Sequence, residues 1–563
     1  MGLAGRTRQD KTEDHSEVSR MGEAHAYDVL VVGGGATGAG VLRDLARRGL
    51  RTLLVERGDY GTGTTGRYHG LLHSGGRYVA KDALAARECI SENRILRRIA
   101  PASIEDTGGY FVATPSDPDD YVAGFQAACI AADVDCEEIP VAEALRLEPA
   151  LNPRIRRVFR LPDGSVEPWQ LIESNVADAR LHGSDAWSYQ RLVGMERDGA
   201  RIVAATLRDE RSGSLTRITP RFVVSCAGAW SGQIAAMVNV TVTMHPGKGT
   251  MLIFNQRMTD TVINRCHKSS DGDIMVPVHT VAILGTTEQR VEDPDRYEIT
   301  REEVAALIAQ GEVLFPDLAK MRLLRAYAGV RPLYQPPAEV TAAALKDGRQ
   351  ISRAHTVLDH GAMDGVENFV TIVGGKLTTF RRMAEDTVDM VCGKLGVTEP
   401  CTTADEILPG QVRGKTYWLG HRLADHEAEG GGDADLLCEC ELVTRPQLES
   451  FLDRHPGATL DDVRRGTRVG MGPCQGGFCT FRAAGVVGER AGHAGATDVA
   501  EQADHAILGF LRERFKGTRP IAAGRQLQEQ WMISGIYEGG LGVESLLERE
   551  TPEASREVVG AQR

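Results

Sequence analysis

The run YDVLVVGGGATGAGVLRDLARRGLRTLLVE, residues 27–56, constrains this chain more than any other stretch. It opens with a short, valine-rich apolar segment, Tyr27 to Val32, that reads as a buried parallel strand. Gly33, Gly35 and Gly38 then fit GxGxxG, Val41, Leu42 and Leu45 recur at helical spacing, and Gly49 ends the helix. A second strand, Arg51 to Val55, ends on Glu56. This is the layout a dinucleotide requires: a tight turn, close backbone approach to the pyrophosphate, a helix N-terminus aimed at it, and a carboxylate for the ribose hydroxyls. NAD and FAD share the fingerprint, so later segments must choose between them. Arg221 to Ala227 and Phe369 to Val373 read as two more short strands, ending at Gly228 and at the Gly374–Gly375 pair. A nicotinamide domain is usually complete in one stretch, whereas a chain that returns to its nucleotide sheet after long insertions fits a flavoprotein. The return favours FAD.

At 563 residues the chain exceeds what one hydrophobic core usually organises. A net charge of −13 argues against nucleic acid and against broad contact with an anionic membrane surface. No apolar run reaches the ~18–20 residues of a membrane span, so any membrane contact is local. Residues 1–26 are polar, lack the apolar core of a secretory signal and read as a disordered tail, with Met21 as an alternative start. Of eleven cysteines, seven are scattered through ordinary helix and strand patterns and read as reduced thiols of a cytoplasmic protein.

The segment DYGTGTTGRYHGLLHSGGRYV, residues 59–79, is too rich in Gly and Thr for a regular element and suits close approach to a ligand. His73, Arg77 and Tyr78 offer a base, an anion contact and a hydrogen-bond donor there. Arg331 stands between apolar residues in AYAGVRPL, where a guanidinium needs an anionic partner from protein or ligand. Arg353 and Lys376 add two cations next to the nucleotide strands, and four basic residues leading into one region fit a small anionic substrate such as a phosphate ester.

These segments, with ARECISENRIL, PGKGTMLIF, VINRC and GGKLTTFRRMAE, resemble the FAD-dependent glycerol-3-phosphate dehydrogenases, in particular the catalytic A-subunit type of the anaerobic three-subunit enzyme. The resemblance runs from about Tyr27 to near Leu541. It implies an α/β fold in which a Rossmann-like FAD domain (about 27–105, 165–235 and 350–395) interleaves with an α+β substrate domain (about 106–164 and 236–349) of the glycine oxidase and amino-acid oxidase type. It implies FAD contacts at Gly33, Gly35, Gly38, Glu56, Thr64, Thr65, Gly228, Gly375 and Leu377, and substrate contacts at His73, Arg77, Tyr78, Arg331, Arg353 and Lys376. Aerobic single-chain relatives tend to carry a His where this chain has Met251, which leaves His73 as the candidate base. Glycerol 3-phosphate is the substrate implied. So are a second soluble subunit (B), a membrane-associated iron-sulfur subunit (C) that feeds quinone, and a cytoplasmic location on the inner face of the membrane through those partners.

After residue 395 the periodic pattern weakens, and 396–435 reads as an acidic, flexible linker. Cys438 and Cys440 in LLCECELV, and Cys474 and Cys479 in GPCQGGFCTFRAAG, then form two pairs within a small α-rich module, 436–490, with a helical region over 491–563. Four thiolates suit zinc or an iron-sulfur cluster; CxC with CxxxxC is unlike the usual zinc pairs and favours iron. RRGTRVGMGPCQGGFC resembles the bacterioferritin-associated ferredoxin type of domain, which implies a [2Fe-2S] cluster, with Arg464, Arg465 and Arg468 offsetting its charge. Two other readings stay open on the residues alone: a flavoenzyme of the same fold acting on another hydroxy or amino acid, and a non-catalytic iron-sulfur redox sensor.

Overall fold

Three valine-rich segments far apart in sequence should become neighbours if they share one nucleotide sheet, and they do. The computed structural model describes residues 25–336, 347–411, 419–428 and 436–539, with 339, 341 and 430 as isolated positions. Nearly all of the expected N-terminal tail, part of the expected linker and the end of the expected C-terminal helical region lie outside the described residues. In an eight-stranded sheet, strand His25–Val32 runs parallel between Leu215–Ser225 and Thr52–Val55, and Phe369–Gly374 lies parallel on the far side of Leu215–Ser225. Val32 is in register with Ser225 and Val55, and Ser225 with Thr371, so the three glycine turns open side by side at one edge. Both faces of the central strand are covered, as a parallel sheet requires. Val29 and Val31 pack against Val41, Leu42 and Leu45 of helix Ala36–Arg47, and Leu30 and Val32 meet Ile202, Leu207 and Val223 on the other side.

The segments between these returns build a second, nine-stranded sheet. Gly247–Phe254 lies antiparallel to both Val281–Gly285 and Leu323–Arg331, and Gly109–Ala113 and Arg157–Leu161 extend the sheet. Leu252, Phe254, Met275 and Leu284 face Val304 and Leu307 of helix Arg301–Gly311. That helix begins on a Thr300–Glu303 capping box, and the same buried Glu303 accepts hydrogen bonds from Lys248 Nζ at 2.8 Å and Thr250 Oγ1 at 2.8 Å. One carboxylate therefore caps the helix and ties it to the sheet. The expected class holds: a Rossmann-like α/β domain interleaved with an α+β domain.

The cysteine-rich module has its own core, with Leu448, Phe451, Val463, Ala483 and Leu511 drawn from four helices beside the hairpin Leu436–Cys438/Val443–Thr444. It is seated on the flavin-type domain by charge. Arg468 donates to Glu167 at 2.9 Å and to Glu441 at 3.0 Å, Arg465 donates to Asp59 at 2.7 Å, and the Tyr189 hydroxyl donates to Asp462. The stretch 397–411, read from sequence as the start of a linker, is bound to the nucleotide domain: the buried Arg43 donates to the carbonyls of Thr403 and Glu406, and Gln411 bonds Ser103. Arg464, Arg465 and Arg468 correct a second expectation. Carboxylates of both parts of the chain take up their charge: Arg465 and Arg468 reach Asp59 and Glu167 of the flavin-type domain, while Arg464 pairs with Asp461 of its own helix.

Arg468 is nine-tenths buried, so Arg468→Ala strands Glu167 and Glu441 without their guanidinium, a change that costs about 3–5 kcal/mol for a buried pair. Amide exchange in flavin-loaded protein should accelerate at 441–444 and 464–470 while strand His25–Val32 stays protected. Unchanged exchange at both segments would show that this ion pair does not seat the module.

Candidate active site

A cavity of about 510 Å³ opens at the edge where the three glycine turns meet. Gly33, Gly35, Glu56, Thr64, Thr65, Gly228, Gly375 and Leu377 all line it. Gly33 has φ +111°, and a Cβ there would lie 2.6 Å from the Cys226 carbonyl, so only glycine lets these turns pack. Gly38 is not in the wall. A Cβ on it would come within 1.9 Å of the Gly33 carbonyl, so its role is to let the helix close on the strand. Glu56 accepts from the amides of Gly34 at 2.8 Å and Gly58 at 3.0 Å, and Thr65 Oγ1 accepts from Ala36 N, in the first turn of the helix. Thr64 donates its hydroxyl to the Val330 carbonyl at 2.6 Å, tying the loop to the second sheet.

Lys376 sits in the wall of this cavity and leads to the second cluster. Its ammonium donates to the Arg353 carbonyl at 3.2 Å and stands 5.0 Å from the Tyr78 ring centre, whose neighbour at 5.5 Å is the His73 imidazole. Arg353 lies 3.9 Å from Glu288, and Glu288 accepts a hydrogen bond from Arg331. Arg77 donates to both oxygens of Asp273 at 3.0 Å. The structure thus brings all six expected substrate residues into one region and adds two carboxylates, Glu288 and Asp273, that no motif announced. Arg331 lies against Gly249 of the paired strand, where an added Cβ would come 2.5 Å from its Nη2. Four cations against two carboxylates leave two positive charges, the complement of a phosphate monoester dianion. Burial holds the Arg331 guanidinium down to about 10, with Glu288 pulling the other way.

His69, a second imidazole absent from the expected set, lies 6.0 Å from His73. Burial first, then Arg77 and Arg331, push His69 down to about 3. Burial, then His69, Arg77, Lys376 and Arg353, hold His73 well below its ordinary value. Both rings are therefore neutral near pH 7. Met251 is buried within its strand.

In the module, Cys438 Sγ lies 3.8 Å from Cys440 Sγ, which lies 4.0 Å from Cys474 Sγ; Cys479 also bonds the Cys438 thiol. Bonds from neighbouring sulfurs, with the amides of Gly470 and Glu441 and of Gly476 and Gly477, pull Cys438 and Cys474 down, while the same sulfur–sulfur bonds push Cys440 and Cys479 up. Gly472 cannot be larger, because a Cβ would reach Cys440 Sγ at 2.4 Å. An all-sulfur donor set ringed by amides fits an iron-sulfur cluster.

The family model for FAD dependent oxidoreductases matches residues 28–378. The chain belongs to that family. Among its relatives, the A subunit of the anaerobic glycerol-3-phosphate dehydrogenase of Escherichia coli K12 is 42% identical over 542 residues, covering 93% of this chain and 98% of the relative. The A1 subunit of the anaerobic glycerol-3-phosphate dehydrogenase of Haloferax volcanii is 41% identical, covering 89% of this chain and 88% of its own length. Among solved structures, the glycerol-3-phosphate dehydrogenase of Bacillus halodurans, solved with FAD, matches with TM-score 0.55 at 21% identity, covering 85% of this chain and 82% of that one. Glycine oxidase from Geobacillus kaustophilus matches with TM-score 0.52 at 18% identity, covering 69% of this chain and 99% of that one. These two share the fold of this FAD-dependent oxidoreductase. Among the described residues no helix is long and apolar enough to cross a membrane.

The two buried imidazoles give a pH test. The unfolded chain binds protons at His69 and His73 below about pH 6.5 while the fold resists, His69 down to about 3. Their contribution to stability is complete above about pH 6.5 and declines as pH falls through that window. The urea midpoint of flavin-loaded protein should therefore drop between about pH 7.5 and 5, and His69→Gln should flatten the slope. A wild-type slope in the variant would contradict the buried neutral imidazole.

Proposed function

We propose that this chain oxidises the C2 hydroxyl of sn-glycerol 3-phosphate to give dihydroxyacetone phosphate in the cleft between its two sheets. The carrying observation is the excess of two positive charges beside a neutral His73, at the end of a cavity built for a dinucleotide. The cleft fits FAD: Gly33, Gly35 and Gly375 provide walls without side chains, and the helix beginning at Ala36 faces it. Bound there, FAD supplies an acceptor for hydride and a donor of single electrons.

Arg331, Arg353, Arg77 and Lys376 hold the phosphate and fix C2, so that binding energy at the remote group is used to align the reacting one. Glu288 and Asp273 keep Arg331 and Arg77 in place and trim the charge so that a dianion is matched. No hydrogen bond to either ring nitrogen of His73 is made among the described residues, and the ring is neutral, so one nitrogen is available to take the hydroxyl proton. A phosphate dianion beside the cations would raise the basicity of His73 when the base is needed. An amino acid or 2-hydroxy acid would need only one of the four cations.

For onward transfer we assign Cys438, Cys440, Cys474 and Cys479 as the residues that would hold a [2Fe-2S] cluster, which would supply one-electron chemistry toward partner subunits B and C and quinone. The word "subunit" in the names of the relatives supports an assembly of this kind. Membrane contact would then be peripheral, through those partners.

Arg353→Gln should raise KM for glycerol 3-phosphate about tenfold or more and leave the slow oxidation of glycerol nearly unchanged, because only the ester carries the anion. Equal losses on both substrates would make Arg353 structural. His73→Gln should slow flavin reduction by about 10²–10⁴ with little change in substrate affinity, read in single-turnover absorbance. A rate within about threefold of wild type would remove His73 as the base.

A further inference from the structure

The hairpin of strands Ile274–Val278 and Val281–Gly285 reaches from the substrate cations to the cysteine module. Its two open ends hold the cations. Asp273, just before the first strand, accepts from Arg77, and the Thr287 carbonyl and Glu288, just after the second, accept from Arg331. Five residues per strand, at ~3.4 Å each, carry the chain about 17 Å to the turn His279–Thr280. His279 takes φ +51° there, in the left-handed region that tight hairpin turns use. Its carbonyl accepts from Arg257 Nη1 at 3.0 Å, and Arg257 pairs with the buried Glu105, so the tip is fixed on its own domain.

Across the junction the tip meets Glu441 of the module. Thr280 Oγ1 donates to Glu441 Oε1 at 2.7 Å. The His279 ring places Nδ1 3.3 Å from Glu441 Oε2 and Nε2 3.4 Å from Glu167. Glu441 is fully buried, so its carboxylate depends on these donors and on Arg468 in place of water. The same residue organises the cysteines. It follows Cys440 directly, and its amide donates to the Cys438 thiol. Its side chain and Cys440 also lie against Gly472, two residues before Cys474: a Cβ there would come 3.2 Å from Glu441 Oε1 and 2.4 Å from Cys440 Sγ. Leu442 follows at φ +49°, a conformation a bulky residue keeps only where its surroundings hold it.

We propose that His279 and Thr280 are positioning residues for electron exit, a role that rests on the four cysteines being the electron path. Acting through Glu441, they hold the turn Cys438–Leu442 against the loop that carries Cys474. One hairpin thereby ties the substrate carboxylates, Asp273 and Glu288, to two of the four sulfurs. Groups that orient ligands without touching the metal change affinity or activity about 10- to 100-fold when removed.

Thr280→Val removes the hydroxyl and keeps the shape, Thr280→Ser keeps the hydroxyl, and His279→Asn removes the ring with a residue that tolerates φ +51°. In holoprotein with iron, acid-labile sulfide and FAD quantified, anaerobic mixing with glycerol 3-phosphate should bleach flavin at near the wild-type rate in all three. Electron arrival at the iron-sulfur absorbance should slow about tenfold or more in Thr280→Val and His279→Asn and stay as in wild type in Thr280→Ser. Amide exchange at 438–444 should accelerate in the first two and not in the third. Wild-type arrival and exchange in Thr280→Val overturn the proposal, as does a Thr280→Ser variant as slow as Thr280→Val. Slowed flavin bleaching in Thr280→Val and His279→Asn makes the hairpin tip a general structural element and overturns it too. Wild-type protein without iron and labile sulfide defeats the electron-path reading instead, and exchange at 438–444 then decides alone whether the tip holds the turn.

Discussion

The contact between Gly38 and the Gly33 carbonyl sets the geometry on which the rest of the molecule depends. A side chain at position 38 would collide with that carbonyl at 1.9 Å, and one at position 33 would collide with the Cys226 carbonyl at 2.6 Å. Because neither is present, helix Ala36–Arg47 closes on its strand and the ends of His25–Val32, Leu215–Ser225 and Phe369–Gly374 come level. Chain segments more than three hundred residues apart then share one cleft edge. Lys376 follows directly from the last of these turns, so the register that makes the dinucleotide cavity also delivers a cation to the substrate cluster.

Charge compensation organises the molecule at two scales. At the substrate cluster, Glu288 and Asp273 leave Arg331 and Arg77 ordered, with a limited positive excess. At the domain junction, Glu167, Glu441, Asp59 and Asp462 bind Arg468 and Arg465 and seat the cysteine module on the flavin-type domain. The same residue type thus keeps spare positive charge in one place and holds two parts of the chain together in the other. The difference is whether protein carboxylates satisfy the guanidinium.

Much of this was legible in the sequence because it depends on local pattern. GxGxxG, the valine-rich strands and the glycines at 228, 374 and 375 specify a nucleotide sheet by spacing alone, and the grouped cysteines mark the module. What sequence reading missed is long-range pairing. Glu288 and Asp273 stand in segments without a motif, and nothing near them signals that they face Arg331 and Arg77. His69 is four residues from His73, yet only the folded loop shows its ring beside that imidazole. The arginines around 464–468 read as compensation for a cluster because the cysteines are their sequence neighbours, whereas their spatial neighbours are carboxylates, Asp461, Asp462 and Glu441 of the module and Asp59 and Glu167 of the other domain. The stretch after residue 396 read as linker because it lacks periodicity. Its order comes from side chains such as Arg43 and Gln411 that bond the irregular backbone across domains.

We propose a division of labour: substrate chemistry at His73 and its cations, electron exit through the four cysteines. The most direct measurement is anaerobic single-turnover absorbance of flavin-loaded Cys474→Ser mixed with glycerol 3-phosphate, set beside its steady-state rate with the native partners and with a small dye. Flavin should bleach at near the wild-type rate, transfer to the partners should be lost, and the dye should restore turnover in part. Failure of flavin reduction with FAD still bound, or survival of partner-coupled turnover, would contradict it.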